Sequence, residues 1–294
     1  MTFLSGFIAI LGPPNVGKST LLNRIMGEKI AIVSPKPQTT RNRVLGIHHG
    51  DGFQMIFMDT PGIHKTRTPL HKSMVESARS ALQEVDILLL MVDLHHPDAP
   101  EIPSLIGDVR RSGKPVFLVI NKIDRGDRTA LLPLIARFDK EALFAAVLPI
   151  SALTGDGVIT LLKVVSAQLN PGPPFFPLEM RTDQPDTFLM AEIIREKIYL
   201  FSRQELPYSS AVVIEKRDEA VEKNLLRIFA TVYVETASQK GILVGQQGSM
   251  VKKIGTAARK ELEKRFNVQV FLKLNIKVSK NWSRDTKSLQ RLGY

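Results

Sequence analysis

Gly12-Pro13-Pro14-Asn15-Val16-Gly17-Lys18-Ser19 has the spacing G-x-x-x-x-G-K-[ST] of a phosphate-binding loop. Its flanks agree with that reading. Phe7-Ile8-Ala9-Ile10-Leu11 reads as a buried strand, and Thr20-Leu21-Leu22-Asn23-Arg24-Ile25-Met26 as a helix with an apolar face. A strand, a glycine turn and a helix start together make an anion site, because the free N–H groups and the dipole of the first helical turn point at the bound charge. Gly12 and Gly17 permit a backbone approach that a Cβ would block. Pro13 and Pro14 have no N–H, so the cradle is expected from Asn15 through Ser19. Lys18 is expected on the β- and γ-phosphates and Ser19 on Mg²⁺.

Further along, Ile30 to Arg41 is a proline-containing polar loop that includes Thr39-Thr40. Val44–Ile47 and Phe53–Met58 are two strands joined across Asp51-Gly52, a hairpin signal. The second strand runs into Asp59-Thr60-Pro61-Gly62. A carboxylate at the end of a buried strand beside a phosphate loop suits the water shell of Mg²⁺, and Gly62 can bring an N–H to the γ-phosphate. Val85–Val92 and Pro115–Ile120 are buried strands, and the latter leads into Asn121-Lys122-Ile123-Asp124. The Asp124 carboxylate can accept from guanine N1–H and the exocyclic amine together, which adenine cannot match. Lys122 would lie along the base plane. Ala146–Ile150 is a further strand, ending in Ser151-Ala152-Leu153.

The order of these motifs (phosphate loop, T-T-R, D-T-P-G, N-K-x-D, S-A-L) resembles the translational-factor-like small GTPases over about the first 170 residues. The resemblance implies an α/β fold, a doubly wound sheet with GTP or GDP at the carboxyl ends of its strands. It places nucleotide contacts at Gly12, Asn15, Val16, Gly17, Lys18, Ser19, Thr20, Asp59, Asn121, Lys122, Asp124, Ser151, Ala152 and Leu153. It implies Mg²⁺ at Ser19, Thr40 and Asp59, with Thr40 rather than Thr39 as the metal-side threonine, and a catalytic part for Lys18, Thr40 and Gly62. The position after D-x-x-G is Ile63, which cannot orient water, so slow intrinsic hydrolysis is expected. Asn15 matches relatives in which this asparagine helps to bind K⁺ over the phosphates; the alternative is that it only holds the turn. His64 and His71 read as surface residues.

The chain has 294 residues, about two domains' worth, and is 44% hydrophobic and 23% charged. It has no cysteine, which excludes disulfides, thiol nucleophiles and thiolate metal sites. The strongest apolar run, Asp86 to Asp93, is too short to span a bilayer, and no signal peptide is read at the start. Net charge is +11, concentrated late: residues 241–294 carry 12 basic and 3 acidic side chains. That imbalance points to a polyanionic partner, nucleic acid or an anionic membrane face.

Asn170 to Pro177 packs four prolines and a glycine into a stiff connector. The expected division is a GTPase domain over 1–170, a linker over 171–180 and a second domain over 181–294. Phe188–Phe201 has helical periodicity, Ser210–Glu215 and Leu226–Glu235 read as strands, and Val268–Leu274 as a last strand. Between them, Gly245-Gln246-Gln247-Gly248 opens a helix running to about Arg265. This resembles an α+β type II KH domain, whose G-x-x-G loop clamps single-stranded nucleotides. The loop itself is uncharged here, so phosphate attraction would fall to Lys252, Lys253 and later basic residues. Trp282, the single tryptophan, is expected to pack against the domain.

With its ending Leu289-Gln290-Arg291-Leu292-Gly293-Tyr294, the chain resembles the bacterial Era-type GTPases along essentially its full length. The resemblance implies a monomeric, cytoplasmic, RNA-binding GTPase that docks on the 3′ end of 16S rRNA during assembly of the 30S subunit, with peripheral association at the inner membrane. Two other readings are a nucleotide-gated RNA or ribosome scaffold and a GTPase tethered to anionic lipid through its basic domain.

Overall fold

The computed structural model describes residues 2–36, 39–60, 83–125, 128–202, 205–220 and 224–294. Gly62, Ile63, His64 and His71 lie outside the described residues. Two compact units emerge.

In the first unit, the apolar runs become the strands of one sheet: β1 (Leu4–Leu11), β2 (Val44–Gly50), β3 (Phe53–Asp59), β4 (Ile87–Asp93), β5 (Val116–Asn121) and β6 (Ala146–Pro149). Their order is β2-β3-β1-β4-β5-β6. β2 is antiparallel to β3 through the hairpin, and the remaining pairs in this path are parallel. Ile87 to Val92 are wholly buried, as expected of a strand covered on both faces. Helices α1 (Lys18–Met26), α2 (Ile102–Ser112), α3 (Leu131–Asp139) and α4 (Val158–Ser166) cross between strands. The order reverses between β1 and β4, so the carboxyl ends of these two strands and of β3 and β5 open a crevice, where α/β sheets of this kind bind ligands.

The proline-rich segment is bonded to the sheet of the first unit. Asn170–Pro171 forms a short strand, β7, antiparallel to the start of β1, and Ser5 Oγ donates to the Pro173 carbonyl at 2.9 Å. The buried Gln54 amide accepts from the N–H groups of Phe175 and Phe176 and donates to the Phe176 carbonyl. The Ile47 N–H then bonds the Arg181 carbonyl at 2.8 Å. The reason is hydrogen-bond accounting: a buried amide needs partners, and this strap supplies three. The first unit accordingly extends to Asp183.

The second unit holds α5 (Asp186–Phe201), β8 (Ala211–Ala220), β9 (Leu225–Val234), α6 (Ala237–Val244), α7 (Ser249–Phe266), β10 (Gln269–Val278) and α8 (Thr286–Arg291). The sheet order is β10-β9-β8, with β10 parallel and β8 antiparallel to β9. Ile228, Ala230, Val232 and Val234 face α5 and α7 and form the core with Ile194, Ile198, Ala258 and Leu262. α6 starts on a capping box in which Thr236 and Gln239 satisfy each other's backbone N–H groups. Trp282 is fully buried; its Nε1 donates to the Ser209 carbonyl at 3.0 Å and its ring lies against Tyr294. Residues 32–39 also belong to this unit. The Val33 N–H donates to Glu196 on α5, and Arg195, 1% exposed, donates to the Thr39 carbonyl at 2.6 Å. Burial works against the Arg195 charge, but the Glu192 carboxylate beside it more than offsets that and holds the guanidinium above its ordinary range.

Candidate functional site: a phosphate cradle, a base-reading loop and a G-x-x-G turn

The turn between β1 and α1 has the backbone of an anion cradle. Asn15 is left-handed at φ 58° and Gly17 at φ 109°, and α1 begins at Lys18 with no side-chain cap, so its first N–H groups remain available to a ligand. Lys18 Nζ donates to the Gly12 and Pro13 carbonyls, each at 3.0 Å, and so is curled over the loop. Burial lowers its pKa to about 8, against the opposing pull of Asp59 and Glu101. The sign follows. Below pH 8 the free protein carries the ammonium a polyphosphate attracts; above it, binding must first take up a proton. Nucleotide affinity is therefore expected to fall by up to tenfold per pH unit above about pH 8. Isotherms from pH 7 to 9.5 test this, and a flat profile would contradict it.

Ser19, Thr40 and Asp59 come together at the end of β3. Ser19 Oγ donates to Asp59 Oδ2 at 2.6 Å and lies 2.9 Å from Thr40 Oγ1, which is 3.4 Å from the same carboxylate oxygen. The Thr39 hydroxyl turns away, to Ser34 and the Lys36 carbonyl. Asp59 is fully buried, its pKa is raised by that burial, and its Oδ1 has no hydrogen-bond partner. An orphaned buried carboxylate oxygen beside two hydroxyls is a hard-oxygen donor set that suits Mg²⁺ with part of its water shell. Thr60 Oγ1 is tied to the Ile10 carbonyl at 3.0 Å, fixing the exit of β3 against β1.

At the ends of β5 and β6, Asn121 bridges three loops. Its Nδ2 donates to the Val16 carbonyl at 2.7 Å, and its Oδ1 accepts from the Ala152 N–H at 2.9 Å. It is 2% exposed, so it is a strut joining the phosphate loop to the S-A-L turn. Asp124 is exposed and oriented by Ser151, whose hydroxyl donates to it at 2.6 Å. Leu153 is exposed.

Two residues here escaped sequence reasoning. Asp93, at the end of β4, pairs with Lys122 Nζ at 2.7 Å and fixes the lysine stem across the crevice. Burial alone would raise the Asp93 pKa, but the Lys122 bond and the His95 N–H outweigh it and lower it. Arg24 on α1 reaches the Ala152 and Leu153 carbonyls from below. An aspartate ending a strand was a visible signal for the first; nothing local announced the second.

In the second unit, Gly245 (φ 71°), Gln247 (φ 50°) and Gly248 (φ 78°) all have positive φ. A Cβ on Gly245 would come within 2.8 Å of the Met250 backbone nitrogen, so the turn is too tight for a side chain there. Gln246, Gln247, Lys252 and Lys253 are exposed, and Lys253 Nζ sits 4.5 Å over the Phe201 ring. The loop therefore offers a bare turn and the start of α7, with Lys252 beside it.

A doubly wound sheet with a phosphate loop, a guanine-type N-K-x-D loop and an appended G-x-x-G domain defines a P-loop GTPase fused to a KH module. Comparison with known proteins agrees. Residues 7–122 match the family described as 50S ribosome-binding GTPase, and residues 205–283 match the KH domain. GTPase Era of Geobacter metallireducens is 50% identical over 292 residues, covering 99% of this chain and 98% of that protein. GTPase Era of Syntrophus aciditrophicus is also 50% identical, covering 99% and 95%. Among solved structures, a point variant of Aquifex aeolicus Era bound to GDP·AlF4⁻ superposes with a TM-score of 0.96 at 40% identity and 99% coverage of both chains. Era in complex with MgGDPNP and nucleotides 1506–1542 of 16S ribosomal RNA gives 0.95, also at 40% and 99%. The chain belongs to the Era family of GTPases.

Proposed function

We propose that this protein is a GTP-hydrolysing, RNA-binding switch that engages the 3′ region of 16S rRNA and assists assembly of the small ribosomal subunit. The observation that carries the reading is the joining, in one chain, of the cradle, the hard-oxygen cluster and the base-reading loop to a KH module. The full-length likeness to an Era structure holding MgGDPNP and 16S nucleotides supports the choice of RNA.

In this reading the first unit binds GTP, with Asp124 reading guanine and the N–H groups from Asn15 to Ser19 cradling the phosphates. Lys18 leaves the Gly12 and Pro13 carbonyls for the phosphate oxygens and stabilises charge as water attacks the γ-phosphorus. Ser19, Thr40 and Asp59 would hold Mg²⁺, which supplies charge neutralisation across the phosphates. The second unit supplies RNA binding through the turn Gly245–Gly248 and Lys252.

The switch has a physical route in the chain itself. Val33 and Thr39 are bonded to Glu196 and Arg195, and the next residue, Thr40, carries a hydroxyl of the metal cluster. A segment pulled to the γ-phosphate side would draw on those bonds, which gives nucleotide state a lever on the RNA module. The test is RNA binding against salt, comparing a 3′-terminal 16S fragment with a scrambled strand, in GTP analogue and in GDP. The expected result is preference for the authentic fragment, strengthened by the analogue by roughly 5- to 150-fold. Equal affinity for both strands, falling steeply with salt, would leave only a basic surface.

The same reading extends to K⁺ at Asn15. Hydrolysis is expected to run faster in K⁺ than in Na⁺, with the difference lost in Asn15→Ala. Equal rates in the two salts would assign Asn15 to the turn alone, a role its left-handed backbone also suits. A monomer working in the cytoplasm on the 30S subunit, with peripheral contact at the inner membrane, completes the proposal. No helix among the described residues is long and apolar enough to cross a membrane.

A further inference from the structure

The helices of the second unit cover one face of the β8–β9–β10 sheet; the opposite face carries an ordered pattern that the G-x-x-G turn does not use. Register places the residues. On β9 the outward positions are Arg227, Phe229, Thr231 and Tyr233, because Ile228, Ala230, Val232 and Val234 point into the core. The small Thr231 is itself buried, so rings and cations make up what β9 presents. On β10 the outward positions are Gln269, Phe271, Lys273, Asn275 and Lys277, because Val270, Leu272, Leu274 and Ile276 pack inward.

Across this pair of strands, each ring is registered with a cation: Phe271 with Arg227, Phe229 with Lys273 and Tyr233 with Lys277. The Phe229 and Phe271 centroids are 6.0 Å apart, and Phe271 is 49% exposed. The acidic groups on the face are already engaged, Asp218 with Lys216 and Glu215 with the Tyr233 hydroxyl. An exposed ring flanked by cations is a surface that a flat, anionic ligand can cover, with the ring stacking on its plane and the cations meeting its charge.

We propose that this open face is a second RNA site, which stacks two or three unpaired bases on Phe271 and Phe229 while Arg227, Lys273 and Lys277 take the phosphates. Outward residues two apart on a strand are about 6.6 Å apart, which sets rings and cations alternately along the path of a strand laid across them. Bases stack on such sheets without strong sequence preference, because every base has a π-face. The site lies on the side of the sheet opposite the α6–α7 layer, so it is separate from the G-x-x-G turn. An RNA long enough to reach both would be held at two points, and tethering would raise its overall affinity beyond either contact.

The inference rests on the reading of the second unit as an RNA module, and the test separates the two. The full-length protein is titrated with a labelled 30-nucleotide unstructured RNA, as wild type, Phe271→Ala, Lys273→Ala/Lys277→Ala and Gly248→Asp. Phe271→Ala is expected to weaken binding roughly tenfold with the salt slope unchanged. The double lysine variant should weaken binding and reduce the slope by about 2. Both losses should persist in the Gly248→Asp background, and ultraviolet crosslinks should map to peptides containing Phe271 or Phe229. Phe271, Lys273 and Lys277 are on the solvent side, so nucleotide affinity and the melting temperature should not move in the Phe271→Ala and double lysine variants. Wild-type binding with Phe271→Ala unaffected overturns the second site, whether the lysines matter or not. Loss of binding in Phe271→Ala together with a lowered melting temperature overturns it as well, by assigning the ring to the fold. No RNA binding by wild type overturns the RNA reading itself.

Discussion

Asp124→Asn is expected to lower GTP and GDP affinity by roughly 10²- to 10³-fold while leaving the fold intact. The carboxylate is exposed at the end of the N-K-x-D loop, with one oxygen held by the Ser151 hydroxyl at 2.6 Å. In the proposed reading guanine would turn two donors toward it, N1–H and the exocyclic amine. A carboxylate accepts both; a carboxamide can accept one and must face the other with its own N–H. Each hydrogen bond to a charged acceptor contributes about 1.5–3 kcal/mol, and the donor–donor contact adds to the loss. At about 1.4 kcal/mol per factor of ten, the sum gives the stated range. The chemistry supplies its own control. Xanthine keeps N1–H but carries a carbonyl where guanine has the amine, so the asparagine amide matches it. The variant should bind xanthosine diphosphate more tightly than GDP, by calorimetry or displacement of a fluorescent nucleotide. Retention of GDP affinity within threefold would mean that the base is read elsewhere.

How far the sequence carried this site depends on how local each signal is. The phosphate loop, Asp59 and the N-K-x-D run are short spacings fixed by backbone geometry, and the structure brings Ser19, Thr40 and Asp59 within hydrogen-bonding distance of one another. What stayed hidden are partners far apart in the chain. Nothing near Asn121 announces that its amide bonds the Val16 carbonyl. Arg24 supports the Ala152–Leu153 turn from more than a hundred residues away. The prolines after Asn170 read as a stiff connector; what their composition did not announce is that the buried amide of Gln54 holds the backbone of Phe175 and Phe176 and that Asn170–Pro171 adds a strand to β1. Periodicity anticipated α5, yet the bonds of Val33 and Thr39 to Glu196 and Arg195 are a tertiary choice that no local propensity encodes. β9 and β10 were legible as strands; the pairing of their outward rings with cations required the strand register.

Gly17→Ala is expected to abolish tight nucleotide binding, by at least 100-fold, although it adds one methyl group. Gly17 sits at φ 109°, where a side chain is strained by about 1–3 kcal/mol. The larger effect is a collision. A Cβ there would stand 2.3 Å from Asn121 Nδ2, the atom that donates to the Val16 carbonyl at 2.7 Å. Asn121 is 2% exposed and also holds the Ala152 N–H, so it has no free rotamer into solvent. Relief must open the strut, releasing the phosphate loop and the S-A-L turn together. Losing two buried hydrogen bonds adds about 1–3 kcal/mol of instability, and a displacement on the order of 1 Å at both ends of the nucleotide costs the affinity. Gly27→Ala isolates the two effects. Gly27 is also left-handed, at φ 70°, at the end of α1, but its Cβ would meet nothing within 4 Å. That variant should lose about 1 kcal/mol of stability and keep its GDP affinity. If both alanines weaken GDP binding alike, backbone strain rather than the Asn121 strut governs the loop; if only Gly17→Ala does, the amide at Asn121 is the piece that joins phosphate recognition to base recognition.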